Sequence, residues 1–155
     1  MDFVIRKAQK RDYPAVAEII RQVQALHVGW RPDLYKPSDC PMTEERYAET
    51  LQKNLVFVAE HDGRAVGFME AMLRHVENPI QVTRNTLYID TMAVEEHFRG
   101  QGIGHLFFEQ ARKLREEMGL DGIELQVNSR NAAALEMYRK CGFSVKTYTM
   151  ELTDA

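Results

Sequence analysis

Arg99-Gly100-Gln101-Gly102-Ile103-Gly104 is the stretch on which the reading of this chain turns. A strand-like run, Thr86 to Val94, ends shortly before it. A helix is predicted from about Gly102 to Met118, because Ile103, Leu106, Phe107, Ala111, Leu114 and Met118 recur at helical spacing. Glycines at alternate positions let the backbone bend sharply and approach a ligand closely. The unpaired N–H groups of the first helical turn then point outward, and the helix dipole adds positive potential, so phosphate or diphosphate is the natural occupant. An ordinary tight turn accounts for the same six residues. A P-loop would end in Gly-Lys-Ser/Thr, where this chain has Ile103-Gly104-His105. A dinucleotide fingerprint would need a glycine at His105. Glu124 does lie about twenty residues on, where a ribose-binding acid would stand. The turn nevertheless falls too late in the chain for a full doubly wound domain.

Outward from the turn, strands and helices alternate. Phe3 to Lys7 is a short strand, and Asp12 and Pro14 open a helix whose apolar face is Val16, Ile19, Ile20, Val23 and Leu26. Gly29 to Met42 is turn-rich, and Thr43-Glu44-Glu45 starts a shorter helix reaching about Lys53. Leu55–Glu60 and Ala65–Leu73 are strands joined around His61-Asp62-Gly63-Arg64, a hairpin signal because Asp-Gly accepts positive φ. Glu77 to Arg84 is polar and loop-like. Downstream, Ile123, Leu125 and Val127 alternate in a strand, Asn131 to Cys141 is a helix, and Phe143 to Leu152 forms one or two closing strands. The predicted class is α/β: a mixed, mostly antiparallel central sheet flanked by helices, in the order β-α-α-β-β-β-α-β-α-β, as a single domain over residues 1–155.

The chain's 155 residues suffice for one compact core and not for two. Its formal net charge of -3 argues against a protein whose task is to coat nucleic acid. No apolar run approaches the ~20 residues of a membrane-spanning helix. Met1-Asp2-Phe3-Val4-Ile5-Arg6 lacks the layout of a signal peptide, so the expected location is the cytoplasm. Cys40 and Cys141 make no disulfide framework and are expected as free thiols, Cys141 on a buried helix face. His27, His61, His75, His97 and His105 follow no zinc spacing, so no metal is expected. Glu95 and Glu96 are expected to face water. No Ser-His or Cys-His pairing stands out, which points away from a covalent intermediate.

A second motif adds to the turn: Asn131, Ala134 and Tyr138 in the pattern Asn-x-x-Ala-x-x-x-Tyr, followed by Gly142-Phe143. With Arg99, Gly102 and Gly104 upstream and Leu125-x-Val127 between, the chain resembles the GNAT superfamily of acetyl-CoA-dependent N-acetyltransferases. The resemblance implies acetyl-CoA as co-substrate. Its diphosphate would be held by Arg99, Gly100, Gln101, Gly102, Ile103, Gly104 and His105, mostly through backbone, with Asn131 on the pantetheine or phosphate side. Met92-Ala93-Val94 would run beside the pantetheine arm, on a strand whose bulge opens the acyl slot. An amide near Met92 would stabilise the oxyanion. Tyr138 would be the general acid, since a phenol of pKa about 10 can protonate a departing thiolate. Its place on an apolar face with Ala134, Met137 and Cys141 equally suits a core tyrosine.

An amine acceptor arrives mostly protonated, so a base is needed. Asp90 is the first choice, on the strand leading into the implied site, with Glu70, Glu124 or a water chain as alternatives; each carboxylate equally suits a solvated sheet face. In the branch that acetylates the N-terminal alanine of a ribosomal protein, a Glu usually stands where this chain has Gln126. Trp30, Asp33 and Tyr35, between the first two helices, are candidates for amine recognition or for simple loop anchoring. The expected partner is a small-molecule or peptide amine, with no nucleic acid and no membrane. Related enzymes often dimerise, which admits a homodimer. The rival reading is a non-catalytic acyl-CoA-binding module on the same fold.

Overall fold

In the computed structural model, which describes residues 2–153, β1 (Val4–Lys7), β2 (Leu55–His61), β3 (Arg64–Asn78), β4 (Gln81–Val94) and β5 (Gly122–Leu125) form one sheet in that order. Met1, Asp154 and Ala155 of the predicted 1–155 domain lie outside the described residues. The first three pairings are antiparallel, and β4 and β5 run parallel. The helices are α1 (Tyr13–Trp30), α2 (Glu44–Lys53), α3 (Ile103–Met118) and α4 (Ala132–Lys140). The sheet is mixed, mostly antiparallel and flanked by helices, as the sequence implied.

Strand alternation sorts the core into two layers. Phe57, Ala59, Val66, Met69, Ala71, Leu87 and Ile89 pack under Ile103, Phe107, Phe108, Ala111 and Leu114 of α3. On the opposite face Val56, Val58 and Phe68 pack against Val16 of α1 and Tyr47 of α2. Each fully buried Val, Leu, Ile, Phe or Met side chain among them contributes about 1.5–3 kcal/mol. Local chemistry sets the boundaries. Asp62 and Gly63 have φ of 49° and 76°, as a tight right-twisted hairpin turn requires. Thr43 Oγ1 accepts the Arg46 N–H at 3.1 Å and caps α2. Asp12 does not cap α1. Its carboxylate accepts from Arg6 twice, at 2.8 Å each, and from the Gln9 N–H at 2.8 Å.

Four boundaries differ from the sequence expectation. α1 continues through Gly29 and Trp30. β3 and β4 continue through the stretch read as loop and form a two-stranded ribbon beyond β2, turning where Asn78 Oδ1 accepts the Ile80 N–H. β5 stops at Leu125, leaving Val127 outside it. No strand forms between Phe143 and residue 153, so the order lacks its final β. Val145, Tyr148, Met150 and Leu152 are exposed, and alternation without a face to bury does not hold a strand. Ion pairs tie this segment down instead, Lys146 to Glu124 at 2.9 Å and Arg31 to Glu151 at 2.6 Å.

Candidate active site

The ladder between β3 and β4 changes phase at one point. Glu70 lies opposite Thr91 while Ala71 lies opposite Ile89, so Asp90 is an extra, bulged residue. Below the bulge Leu87 and Ile89 face α3; above it Met92 and Val94 do. The parallel pairing of β4 with β5 ends at the same level, at Ile89 and Leu125. From Asp90 to Val94 the β5-side edge of β4 is therefore open. This is the splayed, bulged strand that the family resemblance implied for Met92, Ala93 and Val94.

The glycine turn lies just past that open edge. Gly100 and Gly102 have φ of 74° and 90°, a region other residues enter at a cost, and Gly102 is the N-cap of α3. No side chain among the described residues caps this helix, and its first backbone bond runs from Leu106 N to Gly102 O. The N–H groups of Ile103, Gly104 and His105 have no protein acceptor among the described residues, which suits them to an anion. Arg99 Nε donates to Val94 O at 3.1 Å and Gln101 Nε2 to His97 O at 3.4 Å, so both side chains brace the turn. A Cβ on Gly104 would stand 2.6 Å from Met137 Sδ; the missing side chain lets α4 settle onto α3.

That packing brings the second motif to the first. Tyr138 stacks edge-on to Phe108 at 5.5 Å and tilts against Phe143 at 5.9 Å. Burial pushes its phenol above the ordinary range. Its hydroxyl makes no hydrogen bond among the described residues and is not sealed from solvent. Asn131 caps α4, its Oδ1 accepting the Ala134 N–H at 3.2 Å, which leaves the side-chain NH2 for other partners. Cys141 ends α4 half-buried, with its Sγ 3.4 Å from His105 Nδ1. This thiol–imidazole contact, between residues 36 apart in sequence, was invisible to motif spacing.

On the α1/α2 face, a cleft of about 570 Å³ is lined by Glu45, Arg46, Glu49, Lys53, Asn54, Glu70, Met72 and Asp90 among others. Glu70 is 7 % exposed and accepts from Asn54 Nδ2 at 2.7 Å. Burial pushes its carboxyl above the ordinary range; the Asn54 hydrogen bond opposes this, and the negative charge of Asp90 adds to it. Asp90 itself is exposed at the bulge. Of the three carboxylates considered as base, these two meet in the cleft. Glu124 is engaged elsewhere, by Lys146 at 2.9 Å and by Arg74 and Arg84 at 3.7 Å each.

Other candidates are occupied by structural roles. Asp33 is held by Arg31 through two hydrogen bonds, so its charge is already paired. Trp30 and Tyr35 pack on His27, with ring centroids 5.5 and 4.8 Å away. Burial holds the His27 imidazole below its ordinary range. Glu95 does not face water: it is 8 % exposed and accepts from the His97 N–H at 2.7 Å and from Gln22 at 3.2 Å. Glu95, Glu96 and His97 offer ligand atoms within 4.8 Å of one another, a grouping the histidine spacing did not anticipate. A second cleft, about 370 Å³ between Arg11–Ala15 and Gly63–Ala65, holds none of the predicted site residues.

Residues 20–143 match the acetyltransferase (GNAT) family. An uncharacterized N-acetyltransferase of Methanocaldococcus jannaschii is 32% identical over 90 residues, 58% of this chain and 39% of that protein. The chain spans less than two thirds of the length of the curated relatives it matches. A mutant protein of Bacillus halodurans superposes with a TM-score of 0.95 at 30% identity, covering 98% of this chain and 99% of that one. An aminoglycoside N-acetyltransferase solved with CoA has a TM-score of 0.71 at 17% identity, covering 98% and 99%, and so shares the fold. With the family match running from α1 to the end of the second motif, the chain belongs to the acetyltransferase (GNAT) family.

Proposed function

We propose that residues 1–155 act as one N-acetyltransferase domain, moving an acetyl group from acetyl-CoA to a primary amine of a small molecule or peptide by direct attack in a ternary complex. The observation that carries the reading is the bulge at Asp90. It parts β4 from β5 between the uncapped amides of α3 on one side and an acid-lined cleft on the other.

The residues fit acetyl-CoA. The N–H groups of Ile103, Gly104 and His105, with the turn from Arg99 to Gly102, would hold its diphosphate. The free edge at Met92, Ala93 and Val94 would take the pantetheine arm as a further strand, with Asn131 beside it. When bound, acetyl-CoA supplies an activated thioester carbonyl. Around that carbonyl the chain supplies three things: a backbone N–H near Met92 for developing negative charge, a proton on Tyr138 Oη for the departing sulfur, and a base for the incoming amine. A raised phenol stays protonated at neutral pH, as an acid requires. Asp90 attracts the ammonium at the mouth of the cleft. Glu70, buried beside it with a raised carboxyl, accepts the proton.

The test is release of free CoA with a panel of polyamines, amino acids, aminoglycosides and peptides. Turnover with at least one amine, lowered about 10²-fold in Glu70→Gln and with a raised KM for the amine in Asp90→Asn, supports the reading. Tight acetyl-CoA binding without turnover on any amine supports the binding module instead.

A further inference from the structure

Along the α1/α2 face of the sheet, alternation sets Arg84, Thr86, Tyr88 and Asp90 of β4 in one row. Register places Met72 opposite Tyr88 and Arg74 opposite Thr86 on one side, and Glu124 opposite Tyr88 and Gly122 opposite Thr86 on the other. The acid-lined cleft ends at Met72 and Asp90. Beyond Tyr88 along the same row the charge reverses.

There Arg74, Arg84 and Lys146 surround Glu124. Three cations face one carboxylate, and Lys146 has it at hydrogen-bond distance, 2.9 Å. The two guanidinium groups stand back at 3.7 Å, and neither makes a side-chain hydrogen bond among the described residues. Both are nonetheless held in place. Arg74 Cζ lies 3.9 Å from the centroid of the Tyr88 ring, a cation–π contact. Arg84 rests against Gly122, where a Cβ would come within 2.9 Å of its Nη2. Thr86, between Arg74 and Gly122 in the ladder, is 3 % exposed, and its hydroxyl has no hydrogen-bond partner among the described residues. Buried hydroxyls are ordinarily satisfied, so Thr86 stands out beneath the patch as a polar group left unpaired.

We propose that this patch binds a carboxylate at the far end of the acceptor, so that the acceptor is an amine bearing a terminal acid. The inference rests on the reading of the Glu70–Asp90 cleft as the amine site. A guanidinium presents paired N–H donors that match the two oxygens of a carboxylate. Thr86 and Tyr88 lie four and two residues from Asp90, so the amine and the acid are about 7–13 Å apart at the usual rise per strand residue. A straight-chain amino acid with its amine at the far end, or a short peptide with a free C-terminus, spans that distance. A polyamine would place like charge against Arg74 and Arg84.

The experiment measures CoA release with terminally aminated hexanoate, octanoate and decanoate and with trialanine, each against its amide, in which only the acid is neutralised. The acids are expected to have KM at least about tenfold below their amides, with kcat little changed. Arg74→Gln and Arg84→Gln are expected to raise the KM of the acids to that of the amides and to leave the KM of acetyl-CoA unchanged. Calorimetric titration of the same acids into CoA-loaded protein reads the site without turnover, and the arm with the tighter binder tells a straight-chain acid from a peptide. Equal KM for acid and amide, a preference that survives both substitutions, or no calorimetric binding of any acid overturns the inference. Turnover of amines with no preference for acids overturns it and leaves acetyl transfer standing. Arginine-dependent binding of acids without turnover on any amine does the reverse.

Discussion

Glu70 and Asp90 meet where β3 and β4 fall out of step: Glu70 faces Thr91, its neighbour Ala71 faces Ile89, and Asp90 is left over. One carboxylate is thereby buried behind an exposed one, and the buried group is pushed toward its neutral form first by desolvation. A base must be unprotonated to work. The acid limb of kcat/KM against pH is therefore expected above the ordinary glutamate range of about 4.3, with activity falling as pH drops through it. Glu70→Gln is expected to lower kcat/KM about 10²-fold or more and to abolish that limb. Asp90→Asn is expected to move the limb to lower pH, because it removes a charge that raises Glu70. A pH–rate profile of the three proteins checks both; an unchanged limb in Glu70→Gln excludes Glu70 as the base.

Tyr138→Phe keeps the ring that packs on Phe108 and Phe143 and removes only the hydroxyl. Turnover is expected to fall by about 10²-fold with the affinity for acetyl-CoA within about twofold of the parent. Steady-state kinetics and calorimetry on one preparation separate this outcome from a purely structural tyrosine, whose loss would leave kcat intact.

Gly102→Ala forces a side chain onto a residue at φ 90°. The strain is expected to cost about 1–2 kcal/mol of stability in urea titration. It is also expected to weaken CoA binding about tenfold, because the first amides of α3 no longer align. Retention of full CoA affinity in a destabilised variant would detach the turn from the diphosphate.

Asp12→Asn tests the support under α1. Burial alone would raise the Asp12 carboxyl, but the Arg6 and Gln9 hydrogen bonds outweigh it and hold the group below the ordinary range. The native state therefore gains from the ionised form above the unfolded-state pKa of about 3.9 and loses that gain as pH falls through the lower folded-state value. At neutral pH the variant is expected to be about 1.5–3 kcal/mol less stable. The gap should narrow as pH drops below about 4, read by urea unfolding across that range.

What the sequence disclosed follows from the range of the forces involved. The glycine turn, the Asp62-Gly63 hairpin and the Thr43 cap are local, set by φ or by a side chain three residues away, and all three appear as expected. The bulge carried a signal of its own, the shift of core-facing apolar residues from Leu87 and Ile89 to Met92 and Val94, though only the family resemblance drew attention to it. The ribbon from Arg74 to Arg84 is held by strand pairing among mostly polar residues, and its Ile80 and Val82 are exposed, so no buried hydrophobic period marks it. The closing strand failed for the opposite reason: beyond Phe143 its apolar residues Val145, Tyr148, Met150 and Leu152 have no cover among the described residues. Convergences such as Cys141 with His105, or Arg74, Arg84 and Lys146 on Glu124, join distant positions and carry no spacing at all.

The extra residue at Asp90 also ties the survival of the opening to the survival of the fold. Because the bulge reverses which alternate residues of β4 turn inward, deleting that position would rotate Met92 and Val94 away from α3 or drag Leu87 and Ile89 out of register. A lineage of this chain cannot lose the gap between β4 and β5 by a one-residue deletion and keep its interior intact.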